Sequence, residues 1–365
     1  MKKAMRTQRG FSLVELMVAL GIGLFLVAAV GTMYMAQSSI SKTTVSQASV
    51  QNAENAISAL LIPAIRSAGF TGCSNLTQFI ATLNNGGPPP VGSLNSASAQ
   101  PPMIIGFDAS GTDGSGSSLT ISTGNDVNDT NASDWNPSLD STLVGSVSAG
   151  SDVLVILGAV PGANPIEVTA VSVPGVSTSL SLQNTTGLSA FQLASVTDCG
   201  KTNIFLITAV TPTSVSHSQG SGSMTNTTDF LPVSFGLASQ LIPLQQTAYY
   251  VAHGQGDQST LMQAIYSNNV WTSQPLVPGV DSMQVLYGVG SAGVVSQYMP
   301  ANKVSDWTTI QSVRIGFLIE GQKGSANTSN LAAQSFSVLG TTIKVPSDGR
   351  LRHVFEMTIN LRNGT

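Results

Sequence analysis

Arg9-Gly10-Phe11-Ser12-Leu13-Val14-Glu15-Leu16, running on into Met17-Val18-Ala19-Leu20-Gly21-Ile22-Gly23-Leu24-Phe25-Leu26-Val27-Ala28-Ala29-Val30, is the stretch whose reading decides the fold. Ahead of it, Lys2, Lys3, Arg6 and Arg9 supply four positive charges and no acid. Behind Glu15 no charged residue occurs from Leu16 to Ser41, 26 positions. About 20 apolar residues cross a bilayer as a helix, so the segment is long enough to span. Lys and Arg resist translocation, which keeps the N-terminus in the cytoplasm and sends the rest of the chain across the membrane. A secretory signal cut near Ala28, Ala29 or Ala36 is the plain alternative. Glu15 argues against it. A carboxylate near the start of a membrane helix costs about 2.5–3.5 kcal/mol on insertion scales and calls for a cationic partner.

The helical pattern continues past the apolar segment, with Ala53, Ala56, Ile57, Leu60, Leu61, Ala64 and Ala68 returning every three or four residues on one face. Pro63 removes a backbone donor and Gly69 suits a helix stop, so one helix is expected from Phe11 to about Arg66. Gly21, Gly23 and Gly31 lower helix propensity and suit either close helix packing or local unwinding.

Composition narrows the function. Only 9% of the 365 residues are charged, against about 25% in an average soluble domain, which fits a secreted or surface chain. A chain shortened after Gly10 keeps ten of its 14 basic residues against 18 acidic ones, formally −8, which speaks against nucleic acid as a partner. Cys73 and Cys199 lack the spacing of a zinc or redox site, so no metal and no cofactor is expected. An even pair outside the cytoplasm suits one structural disulfide; two buried thiols fit the count as well.

After Cys73 the pattern turns to short β-type runs: 118–122, 152–157, 203–208, 248–252, 262–266, 282–287, 312–319 and 354–361. The fold class is therefore α+β, one long N-terminal helix on a large antiparallel β-rich domain. Three polar stretches, 84–102, 108–118 and 213–228, read as long loops. Gly288-x-Gly290-x-x-Gly293 matches a dinucleotide fingerprint, but β-branched Val294 and Val295 follow where a helix should start, and no carboxylate lies about 20 residues on. It reads as a hairpin loop. His217, His253 and His353 fall in separate segments with no nucleophile motif beside them, and His253-Gly254-Gln255-Gly256-Asp257 reads as an exposed turn, so catalysis is not expected. Arg314, Arg350, Arg352 and Arg362 crowd the last 52 residues, either as a partner surface or as ordinary solvated strand faces and salt bridges.

Arg9 to Leu16 closely resembles the class III signal of type IV prepilins. The resemblance implies cleavage after Gly10 by a prepilin peptidase, N-methylation of Phe11, and pairing of the new Phe11 amine with Glu15 of a neighbouring subunit. The chain divides accordingly into a leader (1–10), a transmembrane and assembly helix (11–66) and a periplasmic β-rich domain (67–365).

A second resemblance, to the PilW-like minor pilins, is spread along the chain. It is carried by Arg66 to Cys73, Thr197-Asp198-Cys199, Tyr249 to Ala252, Pro275 to Met283, Leu286-Tyr287-Gly288, Trp307 to Ile315, and Leu351 to Asn363; Pro278 stands where that family usually has Glu. It implies pairing of Cys73 with Cys199 and a pilin-like fold. It also implies a role in initiating or capping a pilus used for motility and adhesion. The implied partners are the major pilin, other minor pilins, a tip adhesin, the inner-membrane assembly platform and the inner membrane itself. Two other readings share some of these features: a pseudopilin of a type II secretion system, and a signal-anchored adhesin or binding module.

Overall fold

The computed structural model describes residues 11–72, 78–84, 87–90, 102–121, 128–221, 224–253, 258–325 and 334–362. One helix, Leu13–Arg66, opens the fold. At about 1.5 Å per residue its 54 residues span roughly 80 Å. Ser12, extended at φ −72 and ψ 143, caps its start. Pro63 sits in the last turn, and Ser67 closes the helix by donating its backbone N–H to the Pro63 and Ile65 carbonyls. Gly69, at φ 74, then takes the left-handed conformation that turns the chain away.

The rest is β. A ten-stranded sheet is centred on the long strand Gln240–His253, flanked by Leu193–Thr197 and Val153–Ala159 and continuing to Ile104–Ala109 on one side and Lys201–Leu206 on the other. Ser259–Ser267 and Val270–Pro278 attach to the free end of the central strand. A second, antiparallel sheet orders Val294–Met299, Val280–Ser291, Ile310–Glu320 and Arg352–Asn360. Two three-stranded sheets complete the domain. Pairing is chiefly antiparallel, with Gln78–Ala81 beside Lys201–Leu206 and Ser118–Thr120 beside Thr341–Val345 as parallel exceptions.

Side chains on a strand alternate between faces, so a run apolar at every position needs cover on both sides. Val153, Val155 and Leu157 enter one core with Phe107, Trp135 and Tyr250. Leu154 and Ile156 enter another with Tyr249, Val285 and Phe317. This second core lies between the two large sheets and is closed by the helix. A third core under Phe205 and Phe235 and a fourth around Leu318 and Ile343 pack the small sheets onto the large ones.

One local reading changes, and one strand was not anticipated. The stretch 213–228, read as a loop, contains the strand Ser214–Ser216, paired on both sides, with Val215 wholly buried. Its single apolar residue at a strand centre is enough because its neighbours supply the rest of the third core. Val270–Pro278 is a strand despite Pro275 and Pro278. Among the described residues it pairs only with Ser259–Ser267 and so lies on an edge, where a missing N–H is tolerated. The Gly288–Gly293 segment is the hairpin between Val280–Ser291 and Val294–Met299.

Candidate assembly helix and its docking face

Ser12 and Glu15 cap the helix reciprocally: Val14 N–H donates to Ser12 Oγ at 3.3 Å, and Ser12 N–H donates to Glu15 Oε2 at 3.2 Å. This is a capping box, and it places a carboxylate at the positive end of the helix dipole. Glu15 is exposed, and Phe11 just before it is 87% exposed. Gly10 and the rest of the segment 1–10 lie outside the described residues.

From Leu13 to Lys42 almost every side chain is exposed, including Leu16, Leu20, Leu24, Phe25, Val27, Val30 and Tyr34. The most apolar 18-residue window has none of its residues buried. Hydroxyls in and just beyond this half return to the helix itself, Thr32 Oγ1 to the Ala29 carbonyl and Thr44 Oγ1 to that of Ile40. Nothing approaches Gly21, Gly23 or Gly31, so a small-residue surface lies open. About 45 Å of apolar helix thus projects from the domain, enough for a hydrocarbon layer about 30 Å thick.

The second half docks. Val50, Ala53, Ile57, Leu61, Ala64 and Ile65, at steps of three and four, are buried in the core between the sheets. Polar ties border this stripe: Thr43 Oγ1 donates to the Ser325 carbonyl at 3.0 Å, and His353 Nδ1 lies 2.7 Å from Glu54 Oε1. At the far end Gly69 N–H donates to the Leu157 carbonyl at 2.9 Å. Ser46 packs so closely on Gly321 that a Cβ there would lie 1.7 Å from its hydroxyl. Along one flank, Val45, Ala48, Asn52 and Ala56 form an open groove of about 510 Å³ with Leu276 and Pro278.

Behind Gly321 lies a buried ionic cluster that sequence reading did not foresee as such. Arg352 donates to Asp281 Oδ2 at 2.6 Å and to both Asp348 oxygens at 2.8 and 2.7 Å, and reaches Glu320 at 3.3 Å. Arg350 lies 3.3 Å from both Glu320 and Asp348 and donates to the Gly321 carbonyl. All five side chains are at most 10% exposed. Three acids face two arginines, so full ionisation would leave a net buried charge. Glu320 has the longest contacts, and burial together with the Asp281 charge pushes its carboxyl up to about 9, outweighing both arginines. Asp348 goes the other way: burial alone would raise it, but the Arg352 hydrogen bond and charge hold it below the usual range. Of the four C-terminal arginines, two are therefore structural. Arg314 is exposed, 3.9 Å from Glu356 and over the Tyr298 ring, and Arg362 is exposed. The only sequence signal was Asp348-Gly-Arg-Leu-Arg352 leading into a strand.

Cys73 lies outside the described residues. The chain reaches Gly72 alongside the strand that leads to Cys199: Ser195 Oγ donates to the Thr71 carbonyl at 3.1 Å, and a Cβ on Gly72 would lie 2.6 Å from Thr197 Cγ2. His217 is buried against Phe205 with its pKa lowered by burial, His253 is half-buried at a strand end, and His353 meets the helix. Residues 254–257 of the turn after His253 lie outside the described residues. Among the described residues no three His, Cys, Asp or Glu side chains gather as metal ligands.

Two family models match the chain. The prokaryotic N-terminal methylation motif matches residues 5–31, and the type IV pilus-assembly protein W model matches residues 248–363. The second match takes in the whole four-stranded sheet, the ionic cluster and His353, the part of the β domain on which the helix lies. No curated protein and no solved structure matches the chain. A methylation motif over the exposed apolar helix, a pilus-assembly match over the docking face of that helix, and a β-rich domain joined to both support a PilW-like type IV pilin.

Proposed function

We propose that this pilin is a minor subunit that helps initiate, or forms the tip of, a type IV pilus serving motility and adhesion. The observation that carries the reading is the division of one continuous helix into a projecting apolar half and a docked half. Such a helix stays in the inner membrane until neighbouring helices replace the lipid. The chain enters with its N-terminus cytoplasmic and its β domain periplasmic, and prepilin peptidase cuts between Gly10 and Phe11. Phe11 is then methylated, and its amine pairs with Glu15 of the adjacent subunit. In lipid an amine and a carboxylate are each costly alone and offset one another when paired, so the pair sets the axial register of neighbouring helices. Other minor pilins, the major pilin or a tip adhesin meet the β domain, and the assembly platform meets the helix. Cys73 and Cys199 form a disulfide that ties the helix exit to the strand Leu193–Thr197; the approach of Thr71 and Gly72 to that strand supports it.

The test is the mature N-terminus, measured by mass spectrometry in a piliated host with and without its prepilin peptidase. A peptidase-dependent start at N-methylated Phe11 is expected, and Glu15→Ala should be cleaved normally yet be lost from sheared pili. An intact leader, or a cut between Ala28 and Ala36, would overturn the reading. A type II secretion pseudopilin shares the leader; the pilus-assembly match over 248–363 favours the pilus.

A further inference from the structure

The strand Ile104–Ala109 pairs with Val153–Ala159 up to Phe107 and Val153, and the next residue on each side is an aspartate, Asp108 and Asp152. By alternation Asp108 shares a face with Gly106, and Asp152 with Leu154. That face is the one packed on Tyr287: a Cβ on Gly106 would lie 2.0 Å from the tyrosine hydroxyl. Asp108 and Asp152 are each 2% exposed and Tyr287 is 1% exposed. Two like charges facing each other across adjacent strands are destabilising even in water, and burial makes them more so.

Asp152 is provided for. Its Oδ1 accepts from Ala109 N–H at 2.9 Å and Thr112 Oγ1 at 3.4 Å, and its Oδ2 from Val285 N–H at 2.8 Å. Asp108 is not. Among the described residues no donor reaches its Oδ1, and neither the Tyr287 hydroxyl nor the side-chain oxygen of Asn302 has a hydrogen-bond partner. Its carboxyl meets that of Asp113, which in turn accepts from Asn302 Nδ2. The exposed Lys303 is the cationic side chain that acts on it. Orphaned buried oxygens and a second carboxyl, that of Asp113, therefore coincide at one place.

We propose that Asp108, Asp113 and Asn302 bind a hard divalent cation of the calcium class, through the two carboxylates, water, and the Asn302 amide oxygen once that amide turns over from its hydrogen bond to Asp113. Such ions take six to eight oxygen ligands in adaptable geometry, whereas magnesium demands a near-ideal octahedron and dehydrates reluctantly. Asp152 is a positioning group whose ladder of donors fixes the strand end. The ion fastens the turn 110–117 and the 3-10 segment Ala301–Lys303 to the strand Ile104–Ala109, joining the two large sheets. Two protein carboxylates place the affinity roughly in the 10⁻⁴–10⁻³ M range of extracellular modules.

The experiment uses the full-length chain in detergent micelles, stripped with chelator and titrated with calcium chloride, with magnesium chloride as the ionic control. Calorimetry should give one calcium per chain, and calcium should raise the unfolding temperature more than magnesium does. Asp113→Asn, at an exposed position that leaves the fold intact, should weaken binding at least tenfold, and Asn302→Ala should do likewise. No calcium-dependent shift, or equal binding by Asp113→Asn, overturns the proposal. So does a gain in stability of Asp108→Asn at neutral pH with calcium inert on the unsubstituted chain, since the Asp108 carboxyl then carries a proton rather than an ion.

Discussion

Leu61→Ala and Leu20→Ala change the same residue type in the same helix and should have opposite consequences. Leu61 is wholly buried in the core between the two large sheets. Its truncation removes three carbons, about 2.4 kcal/mol at roughly 0.8 kcal/mol per buried methylene, and leaves a cavity that brings the total to about 3–4 kcal/mol. Leu20 is 59% exposed on the projecting half. Its truncation takes nothing from the domain core and should change domain stability by less than about 0.5 kcal/mol. The difference amounts to at least about sixtyfold in the ratio of folded to unfolded chain. Urea unfolding of full-length protein in micelles reads this directly, because Trp135 and Trp271 are buried in the domain and Trp307 stacks edge-on against Tyr287 in the helix-facing core. Equal midpoints for the two variants would refute the two-part helix, and so would a lower midpoint for Leu20→Ala than for Leu61→Ala.

Arg352→Met strips Asp281 and Asp348 of their main counter-charge and should cost about 3–5 kcal/mol in the same urea assay; a loss below about 1 kcal/mol would contradict the buried cluster. Glu320→Gln copies the protonated acid and should be nearly neutral below about pH 4.5 but stabilising at pH 7. The raised Glu320 carboxyl keeps its proton in the folded state after the unfolded chain has released it. The unsubstituted protein therefore loses stability through this group as pH rises from about 4.5 towards about 9, and Glu320→Gln does not. Parallel pH curves for the two proteins would count against this assignment of the proton. Gly158→Ala would place a Cβ 2.8 Å from the Ser67 carbonyl, where backbone rather than a flexible side chain must yield. A cost of about 1–3 kcal/mol is expected from thermal unfolding, and an unchanged transition would mean that the helix exit is not fixed on that strand.

The helix and its membrane character were legible because both rest on local features, a charge-free run and a three-and-four periodicity. Strands such as Val153–Ala159 and Ile310–Glu320 were legible from continuous apolar runs. Ser214–Ser216 was not, since one valine among serines acquires its core from residues far away in sequence. Nor was Val270–Pro278, whose two prolines are tolerated only because no strand lies on its outer side. The ionic cluster escaped for the same reason on a larger scale: Asp281, Glu320 and Asp348 meet Arg350 and Arg352 through the register of Val280–Ser291, Ile310–Glu320 and Arg352–Asn360. In sequence those charges are simply scattered.

The placement of charge explains how a chain with so few charged residues can be both anchored and shaped. On the proposed reading the projecting half of the helix leaves lipid for a bundle of equally apolar helices, and that transfer gains nothing from the hydrophobic effect itself, because lipid tails are as apolar as leucine. What favours one arrangement of helices over another must then come from close approach at open small residues, here Gly21, Gly23 and Gly31, and from the one charged residue between Leu13 and Ser41, Glu15. In the folded chain Glu15 is held by its own capping box at 3.2 Å. A neighbour's amine must therefore compete with, or share, that carboxylate, and only a cation offers it more than the local N–H does. The docked half works by the opposite rule. Its apolar stripe leaves water, so burial itself holds it to the sheets. The buried cluster behind Gly321 shapes the surface on which Ser46 and Thr43 rest. Register in the fibre would thus depend on one carboxylate at the tip of the helix, and the angle at which the helix leaves the domain on a buried cluster of five ionisable side chains near its middle.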